Sequence, residues 1–358
     1  MSDYHFKSTV RVPFERVKEW SAEIYEKMGV SKRDAEIIAD VQATADVRGV
    51  YSHGIQRCET YVWRIQNGTI APGAVPVIDG DAGAFVMVDG RQAMGQISAF
   101  YAMQTAVERA RKYGSSTVTV KGGNHFGTMA YYSMMAAKEH MIGITFTQGA
   151  GNNIAPTGGK EPVLGNNPIG YAIPAFSKPP VVVDMALTTV AMGKISMAQT
   201  VGNSIPLNWA LDREGNPTSD PNQCHTLQPI AGYKGYGLSF ATTLLTAVLC
   251  GAPWGYEQRD LLSRTHKYAN DPLDIAYTMQ VIDVGALMDA EAFEKRVDAA
   301  IEEIKSVPLR EGVEEILVPG EPEHRTMERQ MKEGIEYPEE LIAKVNRLSE
   351  ETGVSALV

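Results

Sequence analysis

The chain has 358 residues, 44% of them hydrophobic and 21% charged, which is ordinary globular composition and long enough to make two domains the first expectation. Its formal charge of −10, with no basic run to offset it, argues against nucleic acid or an anionic membrane surface as the main partner. Three cysteines at wide spacing, Cys58, Cys224 and Cys250, match neither a disulfide framework nor a metal-ligand pattern.

The opening MSDYHFKSTVRVPF lacks the apolar centre of a signal peptide, and no apolar run reaches the ~18 residues of a membrane span; a cytoplasmic location is expected. Pro13 begins a helix carrying Phe14, Val17, Trp20, Ile24 and Met28 at helical spacing, which Gly29 ends. Ser31 and Asp34 start a second helix with the stripe Ile37, Ile38, Val41 and Ala45. The Gly/Pro-rich segment 67–76 reads as a domain boundary.

Beyond it the pattern alternates. Phe85 to Val88, Thr117 to Val120, Met141 to Thr147, Pro180 to Met185 and Met279 to Val284 read as strands. Met94 to Tyr113, Met129 to Glu139, Thr189 to Gln199 and Gly237 to Cys250 read as helices. The class is therefore α/β. The tail returns to helix at Ala290 to Ile304, Pro322 to Gly334 and Pro338 to Leu348, and could pack on the N-terminal helices. The expected division is 1–76 helical, 77–285 α/β, and 286–358 helical and packed back on the first segment.

Chemistry concentrates first in Ala45 to Arg57, which holds Asp46, Arg48, Ser52, His53 and Arg57. If the chain is helical from Ser52 onward, His53 and Arg57 share a face. An imidazole titrating near neutrality beside a guanidinium fork suits proton transfer on a carboxylate-bearing substrate. The alternative is a helix start with surface charges.

Four further stretches carry chemistry. Lys121 to Gly127 follows a strand and opens a helix, where glycines and free N–H groups favour an anion; His125 there is a second acid/base or phosphate-contact candidate, or a loop histidine bonded to backbone. Gly165 to Gly170 is a polar turn before a short strand. Asp184 closes the apolar run Val181 to Val183, so its carboxylate needs a partner such as a serine or histidine, unless it caps the following helix. Gly232 to Gly237 places Lys234 among three glycines at a helix start, a phosphate-binding arrangement, with its tyrosines as alternative sheet packing. It is not a Walker A loop, and no G-x-G-x-x-G with a following acid is present, which disfavours a Rossmann site. The seven histidines show no metal-ligand spacing, and no Gly-x-Ser-x-Gly elbow occurs.

Taken in order, ADVRGVYSHGIQR (45–57), GGNHFGTMAYY (122–132), GNNPIGYAIP (165–174), VVDMALTTVAMGKI (182–195), WALDREGNPTSDP (209–221), GYKGYGLSF (232–240) and VPGEP (318–322) resemble the malate/L-lactate dehydrogenase family of non-Rossmann NAD(P)-dependent oxidoreductases. The resemblance implies a largely antiparallel central sheet with helices, a helical domain built from both termini, and a homodimer. It implies that His53 donates the proton to the substrate carbonyl, with Ser52 and Asp184 as relay partners and His125 as rival for that role. Arg48, Arg57 and Tyr61 correspond to substrate contacts. His125, Phe126, Gly127, Thr128, Asn167, Pro168, Met185, Ala186, Leu187, Tyr233, Lys234, Gly235, Pro319, Gly320 and Glu321 correspond to cofactor contacts. The pair Leu207-Asn208 departs from the family's Glu-Gly-like pair, in a loop that could influence substrate choice.

The reading is a dehydrogenase passing a hydride between nicotinamide (NAD, with NADP possible) and a small 2-hydroxy or 2-oxo acid, without a metal. Its rivals are a cofactor-free lyase or hydrolase using His53 and Asp184, and a nucleotide-binding module without catalysis.

Overall fold

A computed structural model describes residues 8–261 and 271–358; the first seven residues, part of the opening read for a leader, lie outside it. The N-terminal part comprises β1 (Thr9–Val12), α1 (Phe14–Lys27), α2 (Lys32–Val47) and α3 (Cys58–Gln66). Helix α1 follows Pro13, and α2 starts at Ser31, whose hydroxyl accepts from the Asp34 N–H. No helix or strand is formed over 67–76.

The centre comprises β2 (Val77–Ala82), β3 (Phe85–Asp89), α4 (Gly95–Tyr113), β4 (Ser115–Gly123), α5 (Met129–Ala137), β5 (Met141–Thr147), β6 (Ile169–Ile173) and β7 (Val181–Met185). Next come α6 (Met192–Val201), β8 (Ala210–Leu211), β9 (Pro217–Thr218), β10 (Thr226–Leu227), α7 (Tyr233–Thr243) and β11 (Ile275–Asp283). The main sheet has the order β2-β3-β4-β11-β5-β6-β7. Every neighbouring pair is antiparallel except β3 with β4, as the resemblance implied. The late strand β11 inserts between β4 and β5, so the sheet is complete only when distant segments meet.

The two faces of β11 show how the sheet is covered. Tyr277, Met279 and Val281 pack with Ala99 and Met103 of α4 and with Tyr132 of α5. On the opposite face Ala276 packs with Ala247 and Cys250, and the Thr278 hydroxyl donates to Leu245 O at 2.7 Å. Expected boundaries shift here: the helix begins at Tyr233 rather than Gly237 and widens into a π-type turn over Leu244–Val248. The helix expected from Thr189 begins instead at Met192.

The tail comprises α8 (Ala290–Lys305), α9 (Glu321–Glu333), β12 (Ile335–Pro338) and α10 (Glu339–Thr352). β12 pairs antiparallel with β1, and Trp20 Nε1 donates to Ser349 Oγ at 2.7 Å. A single core unites Trp20, Ile38 and Tyr61 with Tyr337, Val345 and Leu357, so both ends of the chain bury one another's apolar faces. Helix α8 departs from the expected tail arrangement. Its Asp298 accepts N–H groups of Phe176 and Ser177, and its Glu294 pairs with His140. Those partners belong to the sheet region, not to the N-terminal helices.

Candidate active site

The 45–57 stretch is not one continuous helix. After α2, Gly49 takes φ +81°, and short 3-10 turns form at Tyr51–His53 and Ile55–Arg57. Gly54 between them has ψ −146°, so His53 and Arg57 do not stand one α-helical turn apart as expected. A Cβ at Gly54 would lie 1.7 Å from Asp46 Oδ1, which is why a larger residue would have to displace the turn. The Arg57 Nε–H instead donates back to Ser52 O at 2.7 Å. Its charge still reaches the His53 ring.

The two candidate histidines meet although they stand 72 positions apart in the sequence. Their rings stack with centroids 5.5 Å apart and 25° between planes. His53 Nδ1 is 2.8 Å from Ser52 Oγ, and His125 Nδ1 is 2.6 Å from Tyr61 Oη. Both residues are half-buried. Burial, with Arg57 adding to it, pushes the His53 pKa down to about 4. His125 is held well below its ordinary value by burial, then by His53, Arg57 and Arg64. Both imidazoles are therefore neutral at pH 7, and protonating one disfavours protonating the other.

Asp184, the penultimate residue of β7, is exposed as a residue, yet enough protein crowds its carboxylate to raise its pKa to about 6. Its Oδ2 accepts from Ala130 N–H at 2.9 Å, in the first turn of α5. Its partner is thus a helix N-terminus, neither the serine or histidine expected nor the following helix. Among the described residues no hydrogen bond joins Asp184 to Ser52 or His53. Arg48 lowers the Asp184 pKa by its charge and is itself acted on by Glu323 and Asp184. The Arg48 side chain is buried, with only 7% of the residue exposed, and among the described residues it makes no hydrogen bond. A buried guanidinium with free donors is set to receive an anion.

The stretches expected to touch a cofactor are brought together by backbone bonds. Leu187 N–H donates to Asn166 O, Ile230 N–H to Leu187 O, and Val182 N–H to Pro319 O. Several of these side chains are nevertheless committed elsewhere. Phe126 is core, its ring centroid 4.4 Å from that of Tyr277. The Asn167 amide is spent on Gly149 N, Ser239 and Thr243. Glu321 is held by Lys305, Arg325 and Val318 N–H, which bring its pKa to about 2 against the cost of burial. Gly235 is required by packing, since a Cβ there would sit 2.0 Å from Ile230 O. Gly320 likewise lies against Val182. Thr128 and Leu187 are buried, while Met185, Tyr233 and Lys234 are exposed and Ala186 and Pro168 are half-buried. Lys234 lies in the first turn of α7 with no partner among the described residues. Beside it a cavity of about 350 Å³ is lined by Gly158, Lys160, Gly232 and Tyr233.

The malate/L-lactate dehydrogenase family model matches residues 12–346. The chain belongs to that family. It is 33% identical to the malate dehydrogenase of Pyrococcus horikoshii, covering 99% of each chain, and the solved structure of that protein superposes with a TM-score of 0.89 at 31% identity, covering 99% of each. It is 36% identical to the malate/(S)-sulfolactate dehydrogenase of Methanothermus fervidus over 92% of this chain and 95% of that one. The sulfolactate dehydrogenase structure from Methanocaldococcus jannaschii gives a TM-score of 0.90 at 33% identity, covering 97% and 98%. None of these is a lyase or hydrolase.

The family's nicotinamide cofactor can be tested against the residues present. Thr188 Oγ is buried without a partner among the described residues, and the buried Gln96 amide acts on the Tyr61 hydroxyl. They flank the 185–187 segment and the Tyr61–His125 pair, respectively, and the unpaired Lys234 offers a cation at a helix start. These donors fit a polar, anionic cofactor. Gln96 was missed in the sequence, although its place one residue after Gly95 was a signal: a Cβ at Gly95 would lie 2.3 Å from His125 O, so that turn abuts the histidine loop. Arg64 was missed too. Its guanidinium donates to Asp260 O and Leu261 O, and its charge reaches His125.

Proposed function

We propose that this family member is an NAD(P)-dependent 2-hydroxyacid dehydrogenase in which His53 handles the proton of the substrate oxygen and Arg57 and Arg48 hold its anionic groups. The observation that carries this reading is the stacked His53–His125 pair, with the Arg57 charge acting on both rings. The bound nicotinamide supplies the hydride acceptor or donor. The chain's own residues orient the acid and move the proton.

With both imidazoles neutral, the ligand-free site is ready to accept a proton, as oxidation of a hydroxy acid requires. For reduction, His53 must first be protonated. A substrate carboxylate on Arg57 offsets the charge that opposes protonation and so raises the His53 pKa, linking proton uptake to binding. Ser52 orients the ring through Nδ1. Asp184, tied to α5, balances Arg48 rather than acting as a direct relay. His125, fixed by Tyr61, lines the same cleft and supplies a hydrogen bond to substrate or cofactor.

For the cofactor, NAD is the proposal, with Lys234 and the 125–128 backbone on its phosphates and the 185–187 and 319–320 backbone alongside; Asn167, Phe126 and Glu321 hold those loops from behind. We further infer a division near residue 76, a cytoplasmic location and a homodimer. Among the described residues no helix is long and apolar enough to cross a membrane. The dimer is supported by Leu238, Phe240, Leu244, Leu245, Val248 and Leu249, which run along α7 and its extension and are 40–57% exposed, since exposed apolar side chains grouped on one element mark contact surfaces.

The test is a titration of NADH and NADPH by nicotinamide fluorescence, followed by turnover of a 2-oxoacid panel. His53→Ala should lower kcat by roughly 10²–10⁴-fold with cofactor affinity kept. If His125→Ala abolishes turnover while His53→Ala keeps most of it, the roles are exchanged.

A further inference from the structure

Asp46 lies at the end of α2 and is fully buried. Its Oδ2 accepts from Ile55 N–H at 2.9 Å and from the Tyr337 hydroxyl at 2.7 Å, while Oδ1 has no partner among the described residues. Gly54 rests directly on this carboxylate. Next to it, the Gln330 amide donates to Asp46 O and Val47 O and accepts from the Tyr51 hydroxyl and Glu336 N–H. Residues of α9 and β12 thus grip both the end of α2 and the turn that presents Ser52 and His53.

We propose that Asp46 is a positioning residue: a buried carboxylate strut whose ionised form draws the Ser52–His53–Gly54 turn onto β12. The proposal rests on the reading of His53 given above. Its physical basis is that both partners of Oδ2 are donors. An ionised carboxylate strengthens both bonds, whereas a protonated one accepts more weakly from each. Burial pushes the Asp46 pKa up to about 7, against the opposing effect of the Ile55 and Tyr337 bonds. The titratable groups recorded around it are Tyr337, Tyr51 and Cys58. Burial raises the pKa of each, so all three are neutral at pH 7, and among the described residues no cation offsets the carboxylate. Ionisation therefore falls where a cell operates, and the turn tightens as pH rises through it.

The experiment measures kcat against pH from 5.5 to 8.5 for the wild type, Asp46→Asn and Tyr337→Phe. It also follows the His53 ring proton by NMR over the same range, with the resonance identified by its loss in His53→Ala. The wild-type ring signal should inflect near pH 7 without titrating itself. Asp46→Asn should remove that inflection and lower kcat by about 10–100-fold, the cost of a misplaced catalytic group. Tyr337→Phe removes a donor that favours the charged form, so it should move the inflection to higher pH. The NMR readout is independent of turnover: if His53→Ala retains activity, the reading of His53 fails, while the inflection still decides the strut. If Asp46→Asn only lowers thermal stability, with kcat and the His53 signal unchanged, Asp46 is structural and the proposal is overturned. Should Asp46→Asn not fold, an unmoved inflection in Tyr337→Phe overturns it equally.

Discussion

Replacing Arg57 with lysine and with methionine separates the two things its guanidinium does. The Nε–H bond to Ser52 O at 2.7 Å involves a charged donor, and such bonds contribute about 1.5–3 kcal/mol. Lysine keeps the charge but loses both this bond and the fork that would grip a carboxylate. A charged hydrogen bond from that fork to the substrate carboxylate, at the same magnitude of about 1.5–3 kcal/mol, is roughly 10–150-fold in kcat/KM. Part of the Arg57 surface is in solvent, which favours the lower end, about 10–30-fold. Methionine also removes the charge, which holds down the pKa of His53 after burial and of His125 after burial and His53. Both values should then rise. Oxidation needs a neutral imidazole, so the acid limb of its pH profile should move to higher pH in Arg57→Met and stay in place in Arg57→Lys. The assay is hydroxyacid oxidation and 2-oxoacid reduction from about pH 3.5 to 9, a window that spans the low His53 pKa, with NAD(P)H binding measured separately and expected to be intact. Should Arg57→Lys keep kcat/KM within threefold of wild type, the carboxylate clamp is wrong. An acid limb that does not move in Arg57→Met removes the electrostatic link to the histidines.

Lys234→Ala should raise the NAD(P)H Kd by about 1–3 kcal/mol in free-energy terms if a charged phosphate contact is lost; unchanged titration takes Lys234 out of the site. Asn167→Ala should lower unfolding free energy by about 2–4 kcal/mol, because buried groups such as Gly149 N–H lose their partner; a denaturation midpoint at the wild-type value would show that the loop holds without it. Sedimentation should give twice the 39.0 kDa chain mass, and Leu245→Lys with Leu249→Lys should halve it; a wild-type monomer at working concentration contradicts the dimer.

Local signals were readable where local forces decide. Pro13 and Ser31 mark helix starts because their effects reach only a few residues. The sheet's alternating burial, buried and half-buried by turns along Met141–Thr147, follows from side chains pointing to opposite faces. Arg57 was misread because helical spacing was assumed across Gly54, whose conformation answers to Asp46, nine positions before Ile55. Phe126 and Asn167 lie in loops that the resemblance assigns to the cofactor, yet their side chains turn inward. Which way a loop side chain turns depends on partners such as Tyr277 and Ser239, far off in sequence. The pairing of β1 with β12 and the central place of β11 had no local mark at all.

The placement of the two histidines carries a consequence for how activity depends on folding. His53 comes from the turn after α2, whose core is shared with the C-terminal helices, while His125 comes from the loop leaving β4. They stack only because these two parts are docked. The bonds that dock them lie around the histidines: Tyr131 donates to Asp40 at 2.8 Å, Arg64 to Asp260 O and Leu261 O, and Gly127 passes close to Val41. Gly127 has φ +91°, and an added Cβ would meet Val41 at 3.1 Å, so the loop's approach to α2 needs glycine on two counts. The stacked, neutral histidine pair therefore depends on how the turn after α2 meets the loop after β4, and the burial that holds both pKa values down arises there.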